Sequence, residues 1–329
     1  MTVRALGQRG AAILAAMLTV TLVATFAAAA MWQQYRSVEV EAAERSRVQS
    51  TWILTGALDW SRLILREDGR SGNAVDHLAE PWAIPLQEAR LSTFLAADKS
   101  GAAEVSADAD NAFLSGQIID LQSRLNVNSL LDAGGAIAPN GLRAFQRLFE
   151  VLGLPAAQLS LLAENLRFAS DTSTDNRSAA QAPLLPQRVE QLTWLGLTQE
   201  TVTALMPHVT LLPIRQTPVN LNTASAEVIY AVGNGISQAD AQRLVAERAG
   251  AHFRTNADAD RLLAPAQAFD ATLAGVSSRY FEVNGRLRLD QTVVEERSLV
   301  SRTGTTVTTL QRERGIAGAS AVPAGQPLR

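Results

Sequence analysis

A chain of 329 residues, 47% of them hydrophobic, is long enough for two or three packed units of ordinary size. Its formal net charge of −3 supplies no global attraction to nucleic acid or to anionic surfaces, so partners have to come from local sites. The absence of cysteine excludes disulfides, thiolate metal sites and thiol nucleophiles.

The first element is apolar. From Ala11 to Ala30 only Ala, Ile, Leu, Met, Thr, Val and Phe occur, with Arg4 and Arg9 before the run and no charge after it until Arg36. At roughly 1.5 Å per residue this crosses a hydrocarbon core of about 30 Å. A secretory signal has a shorter apolar stretch, about 7 to 15 residues, so the length predicts an anchor, and the two arginines predict a cytoplasmic N-terminus. An ordinary signal anchor meets the same criteria. Gln8-Arg9-Gly10 ahead of the run resembles the leader of type IV prepilins and pseudopilins. The resemblance implies cleavage by a prepilin peptidase between Gly10 and Ala11, giving a leader over 1–10 and a transmembrane helix over 11–31. In that family the fifth mature residue is usually glutamate, whereas Ala15 stands here. A carboxylate in lipid is expensive without a partner, and the tip subunit has no neighbour above it to supply one. The large minor pseudopilin of type II secretion, the protein K family, is the one known to lack this glutamate.

The helix is predicted to continue through Gln33 to Ile64, since no proline interrupts it, with Ile53, Ala57, Trp60 and Ile64 forming a seam at helical spacing. After Pro81, Pro85 and Gly101 comes a strand region over Phe113 to Leu131 that ends in Leu125-Asn126-Val127-Asn128-Ser129-Leu130, which resembles a strand end of protein K. Leu142, Phe145, Leu148, Phe149 and Leu152 then predict a helix closed by Gly153, and Leu159, Leu162 and Leu166 a second after Pro155. The polar stretch Ser170 to Pro186 carries Asp171, Ser173, Asp175 and Asn176. Alternating oxygen side chains suit calcium, although the stretch lacks the glycine and glutamate of an EF-hand loop and also reads as a solvated loop. Resemblance to protein K implies a calcium site there, carried over to Asp171 and Asp175.

Val189 to His208 is helical with Thr198 as N-cap. Pro218-Val219-Asn220-Leu221-Asn222-Thr223-Ala224 precedes a helix over Ser225 to Val232, a turn through Gly235, and a helix over Gln238 to Arg248, with Thr223 and Ser237 as N-caps. This order resembles both helix-hairpin-helix DNA-binding modules and the second helical part of protein K. The turn Gly235-Ile236-Ser237 lacks the second glycine of a DNA hairpin, and four arginines between Val219 and Gly275 face six acids. Counterion release from phosphate needs the opposite balance, so no nucleic acid is expected. Phe281, Val283, Leu287 and Leu289 alternate with polar residues, and a turn at Asp290-Gln291 would set Leu287 opposite Val294, starting a second strand over Thr292 to Val300. Residues from Thr303 are expected to be disordered.

The three histidines, His77, His208 and His252, share no ligand spacing and read as solvated or capping residues. No phosphate loop or nucleophile elbow is present, and the protein is read as non-enzymatic. The expected fold is α+β: a pilin-like fold with a long N-terminal transmembrane helix and an antiparallel sheet, carrying a large inserted all-α domain. Its parts are the pilin-like helix and first strands (32–131), the insert (132–275, divided into 132–215 and 216–275), closing strands (276–302) and a tail (303–329). The resemblance implies a single-pass inner-membrane protein with a periplasmic head. It would join minor pseudopilins I and J and the major pseudopilin as the tip of a pseudopilus. The alternatives are a membrane-anchored DNA receptor and the tip subunit of a type IV pilus.

Overall fold

The computed structural model describes residues 9–72, 75–93, 111–171, 173, 179–263, 267–289 and 292–316. They form two compact units, Met1–Thr55 and Gly56–Arg329. Helix α1 runs from Arg9 to Arg70. In the first unit its apolar run is solvent-facing throughout, with Leu14, Val20 and Phe26 at 70, 68 and 67% exposure. Thr19, Thr21 and Thr25 turn their hydroxyls back onto the carbonyls of Ala16, Leu18 and Leu22, so these side chains present no unpaired donor to a hydrocarbon.

The second unit begins with the last turns of α1 and continues with β1 (Leu86–Arg90), β2 (Ala112–Asp120) and the two-residue β3 (Leu125–Asn126). Helices α2 (Pro139–Val151), α3 (Ala156–Ser170) and α4 (Gln199–Leu205) follow, then β4 (Val209–Thr210), β5 (Val219–Asn220), α5 (Ala226–Val232), α6 (Gln238–Gly250) and α7 (Asn256–Asp260). Last come β6 (Ala274–Gly275), β7 (Tyr280–Leu289), β8 (Thr292–Thr303) and β9 (Thr306–Ile316). Five strands make one antiparallel sheet in the order β1-β2-β7-β8-β9. The strand region expected from Phe113 to Leu131 follows the five-stranded sheet only to Asp120, after which two 3-10 turns, with the short β3 between them, carry the chain away from it.

The helix rests on this sheet by a different seam from the expected one. Leu58 and Leu65 are buried among Trp82, Phe281, Val283, Val300 and Val307, with Ile64 at the margin, while Trp60 is 46% exposed. Both stripes obey the helical period, and the choice between neighbouring faces belongs to the shape of the sheet, which the helix's own sequence does not contain.

The last hairpin follows the alternation. Leu287 lies opposite Val294, the pairing that keeps the apolar set on one face. Asp290 and Gln291 lie outside the described residues. The expectation of a disordered tail from 303 is corrected as far as Ile316, because Thr306–Ile316 is an edge strand paired along β8, and 317–329 lie outside the described residues. Its composition of Thr, Arg and Gly reads as solvent-loving because an edge strand shows most of its side chains to water. Val307 nevertheless enters the core, and Arg312 and Arg314 both reach the buried Glu296.

Asp120 pairs directly with Phe281. Everything between them is therefore an excursion that leaves and rejoins the sheet at one place, longer at both ends than 132–275. Its apolar residues form one continuous core from Leu125 to Ala274, shared by both helical parts. Gly153 ends α2 with a φ of +65°, as a helix C-terminus demands of glycine. Thr198 and Ser237 cap α4 and α6, the latter in a box with Asp240. The cap of α5 is Ser225, not Thr223.

Candidate functional site

The first candidate is the N-terminal helix. Among the described residues one helix is long and apolar enough to cross a membrane, with a mean hydropathy of 2.2 over its most apolar stretch. The peptide bond between Gly10 and Ala11 falls in the first turn of α1, and Ala11 and Ala15 lie exposed on it.

The second candidate is the place where the insert meets the sheet. Asp120, at the end of β2, is wholly buried and its Oδ2 accepts from Asn220 Nδ2 at 3.1 Å, Thr223 Oγ1 at 2.6 Å and Ser278 Oγ at 2.6 Å. Its Oδ1 accepts from the backbone of Gln122 at 2.7 Å. Burial raises the Asp120 carboxyl to about 6, against the lowering effect of these donors. Asn220 also donates to the Asp76 carbonyl at 3.1 Å, and the Ser278 amide donates to Asp76 Oδ2 at 2.6 Å. Arg302, from β8, closes the arrangement by pairing with both Asp68 and Asp76 while its guanidinium stands 4.9 Å from the Phe281 ring centroid. Asp68, Asp76 and Glu80 gather like metal ligands, but the cation among them is this arginine.

This junction explains the asparagine motifs. Asn126 uses its amide on the Ile214 carbonyl (2.7 Å) and accepts from the Leu212 amide (3.1 Å), fastening β3 to the chain beyond β4. Asn222 makes the same pair of bonds with Phe253, at 2.9 and 2.8 Å. Each buried amide stands in for a missing strand, which is why asparagines alternate with apolar residues in both motifs. Thr223 is drawn away from capping because its hydroxyl serves Asp120.

The hairpin that resembles a DNA-binding module is engaged within the chain. The Asn234 amide donates to the Ala268 carbonyl at 2.8 Å and the Ser237 amide to Asp240 at 3.0 Å. Arg147, from α2, turns its guanidinium onto the carbonyls of Gly233 and Ile236 and over the Tyr230 ring. A phosphate approaching this turn would meet amides at Asn234 and Ser237 that already have acceptors.

Other expected site residues fare differently. Asp171 is exposed and its Oδ1 accepts from the Ser173 amide (3.1 Å) and hydroxyl (2.7 Å), while Asp175 lies outside the described residues. His77 and His252 stack with ring centroids 3.9 Å apart and planes 11° from parallel, a contact the reading of solvated or capping residues did not foresee, while His77 Nδ1 also accepts from the Ala79 amide at 3.3 Å as a capping residue does. Burial and the neighbouring His252 lower the His77 pKa, and Glu80 beside it, buried and bonded to Trp82 Nε1 at 2.7 Å, is raised to about 7 by burial. No sequence spacing signals contacts between residues so far apart in the chain.

Two family models, each described as type II secretion system (T2SS), protein K, match residues 123–214 and 219–277. The type II secretion system protein K of Pectobacterium carotovorum subsp. carotovorum is 25% identical over 335 residues, covering 94% of this chain and 97% of the relative. That of Klebsiella pneumoniae is 26% identical with the same coverage, 94% and 97%. Among solved structures, the GspK-GspI-GspJ complex from the enterotoxigenic Escherichia coli type 2 secretion system contains a chain matching this fold at a TM-score of 0.62 and 20% identity, over 83% of this chain and 98% of that one. The matched segments fill the excursion between Asp120 and Phe281 in order, and along nearly its whole length the chain is similar to type II secretion system protein K.

Proposed function

We propose that this protein is a minor pseudopilin that starts and caps the periplasmic pseudopilus of a type II secretion system, bound to the two partners named in the matching complex. The observation that carries this is an apolar N-terminal helix long enough to cross a membrane and, in the second unit, a pilin-like sheet whose β2 and β7 neighbour each other across a helical excursion. The anchor supplies lateral packing in the membrane. The excursion supplies width that a following subunit could not stack upon. In this reading the N-terminus is cytoplasmic, the anchor lies in the inner membrane, the role is structural and not enzymatic, and a prepilin peptidase cuts between Gly10 and Ala11.

Intact mass after co-expression with a prepilin peptidase tests the processing, and loss of residues 1–10 is expected. Co-expression with the other two minor pseudopilins should give a ternary complex, and labelled protein should mark only filament ends. An uncut chain, or label along the shaft, would sink the reading. Saturable DNA binding in a low-salt gel shift would favour a DNA receptor instead. Calcium at Asp171 and Asp175 rests on the resemblance alone, and calorimetric titration of the protein and of Asp171→Asn decides it: no heat with either removes calcium from the account.

A further inference from the structure

Immediately past the apolar run, Trp32, Tyr35 and Arg36 fall within an arc of about 100° on α1, since residues three and four apart share a helix face. Trp32 and Tyr35 are 70 and 62% exposed. Arg36 lines one shallow depression with Trp32, Gln33, Ser37, Val40 and Glu41. The next arginines along the helix, Arg45 and Arg47, lie 3.5 and 3.9 Å from Glu41 and Glu44, whereas Arg36 has no ion-pair or hydrogen-bond partner among the described residues. With Ala11 to Ala30 spanning about 30 Å, these three side chains arrive at the depth of the lipid headgroups, where indole and phenol rings are most stable and a guanidinium meets phosphate.

We propose that Trp32, Tyr35 and Arg36 form a phospholipid-binding collar, Arg36 holding the headgroup phosphate and the rings lying at the boundary with the acyl chains. The inference rests on the membrane-anchor reading. Its consequence is a fixed depth for the anchor, set before any other subunit joins.

The chain has no cysteine, so single cysteines report cleanly. Spin labels at Gln34→Cys and, separately, Val20→Cys would be read for depth by oxygen and nickel-chelate accessibility. The full-length protein would be reconstituted in phosphatidylcholine vesicles with and without phosphatidylglycerol. The label at 34 is expected at headgroup depth, and the added pair Trp32→Ala with Arg36→Gln should shift it by about 5 Å, one helical turn. Arg36→Lys should restore most of the native depth. Circular dichroism of each variant checks that the head is intact. A label at 20 in hydrocarbon, with the label at 34 unmoved by the double substitution, overturns the collar alone. A label at 20 in water overturns the anchor as well.

Discussion

Asp120 is the residue on which most bonds converge, and its protonation is the most direct test of the junction. Burial lifts its folded pKa to about 6, above the ordinary carboxylate value, so the folded state holds its proton more tightly than the unfolded chain. Its contribution to stability is therefore complete below about pH 4, declines as pH rises through 6, and is level above that. The change amounts to about 3 kcal/mol. Thermal melts of the detergent-solubilised protein and of Asp120→Asn should show the gap between them narrowing from pH 4 to pH 6.5, and a constant gap would contradict the assignment. Arg302→Ala leaves Asp68 and Asp76 without their cation at side-chain exposures of 13 and 3%, and a loss of about 3 to 5 kcal/mol in urea unfolding is expected. Little of this was legible in advance. Asp120, Asp76 and Arg302 sit in separate stretches with no spacing in common, and the alternating asparagines of Leu125–Leu130 and Val219–Ala224 carried a family likeness without showing the buried bonds they make.

At the scale of elements, legibility followed periodicity. The β7–β8 register could be chosen because one wrong step would turn Phe281 and Leu287 to solvent, and α2 and α3 announced themselves by apolar spacing and Gly153. Strand β9 could not be chosen so, because its partners lie along one side only. It is nonetheless integral: Arg62 of α1 donates to the Val307 carbonyl at 2.9 and 3.2 Å, and Gly69 packs directly against the Gly304 carbonyl. A stop after Gly304 would remove the buried Val307 and the cations around Glu296, for a loss of about 2 kcal/mol or more. A truncated protein melting like the intact one would restore the view of a dispensable tail. Gly69→Ala would place a methyl on the Gly304 carbonyl, and overpacking of this kind costs about 1 to 3 kcal/mol, visible as a lowered Tm.

For the whole molecule, the separate cores of sheet and insert make a specific surgery feasible. Because Asp120 and Phe281 are antiparallel neighbours, a short turn from Asp120 to Tyr280 replacing 121–279 would close β2 and β7 into a hairpin. The shortened protein should keep β structure by circular dichroism and lose end-capping, giving longer pseudopili in cells. If it fails to fold while the sheet variants above behave as expected, the two cores depend on each other. Since the insert departs from one end of β2 and returns at the same end of β7, any tug on it from cargo or neighbour would open that strand pair like a zip, one bond after another. The carboxylate of Asp120, with Asn220, Thr223 and Ser278 clasped around it, stands at the first tooth, and a force-probe experiment should find the unzipping threshold falling when that clasp is cut.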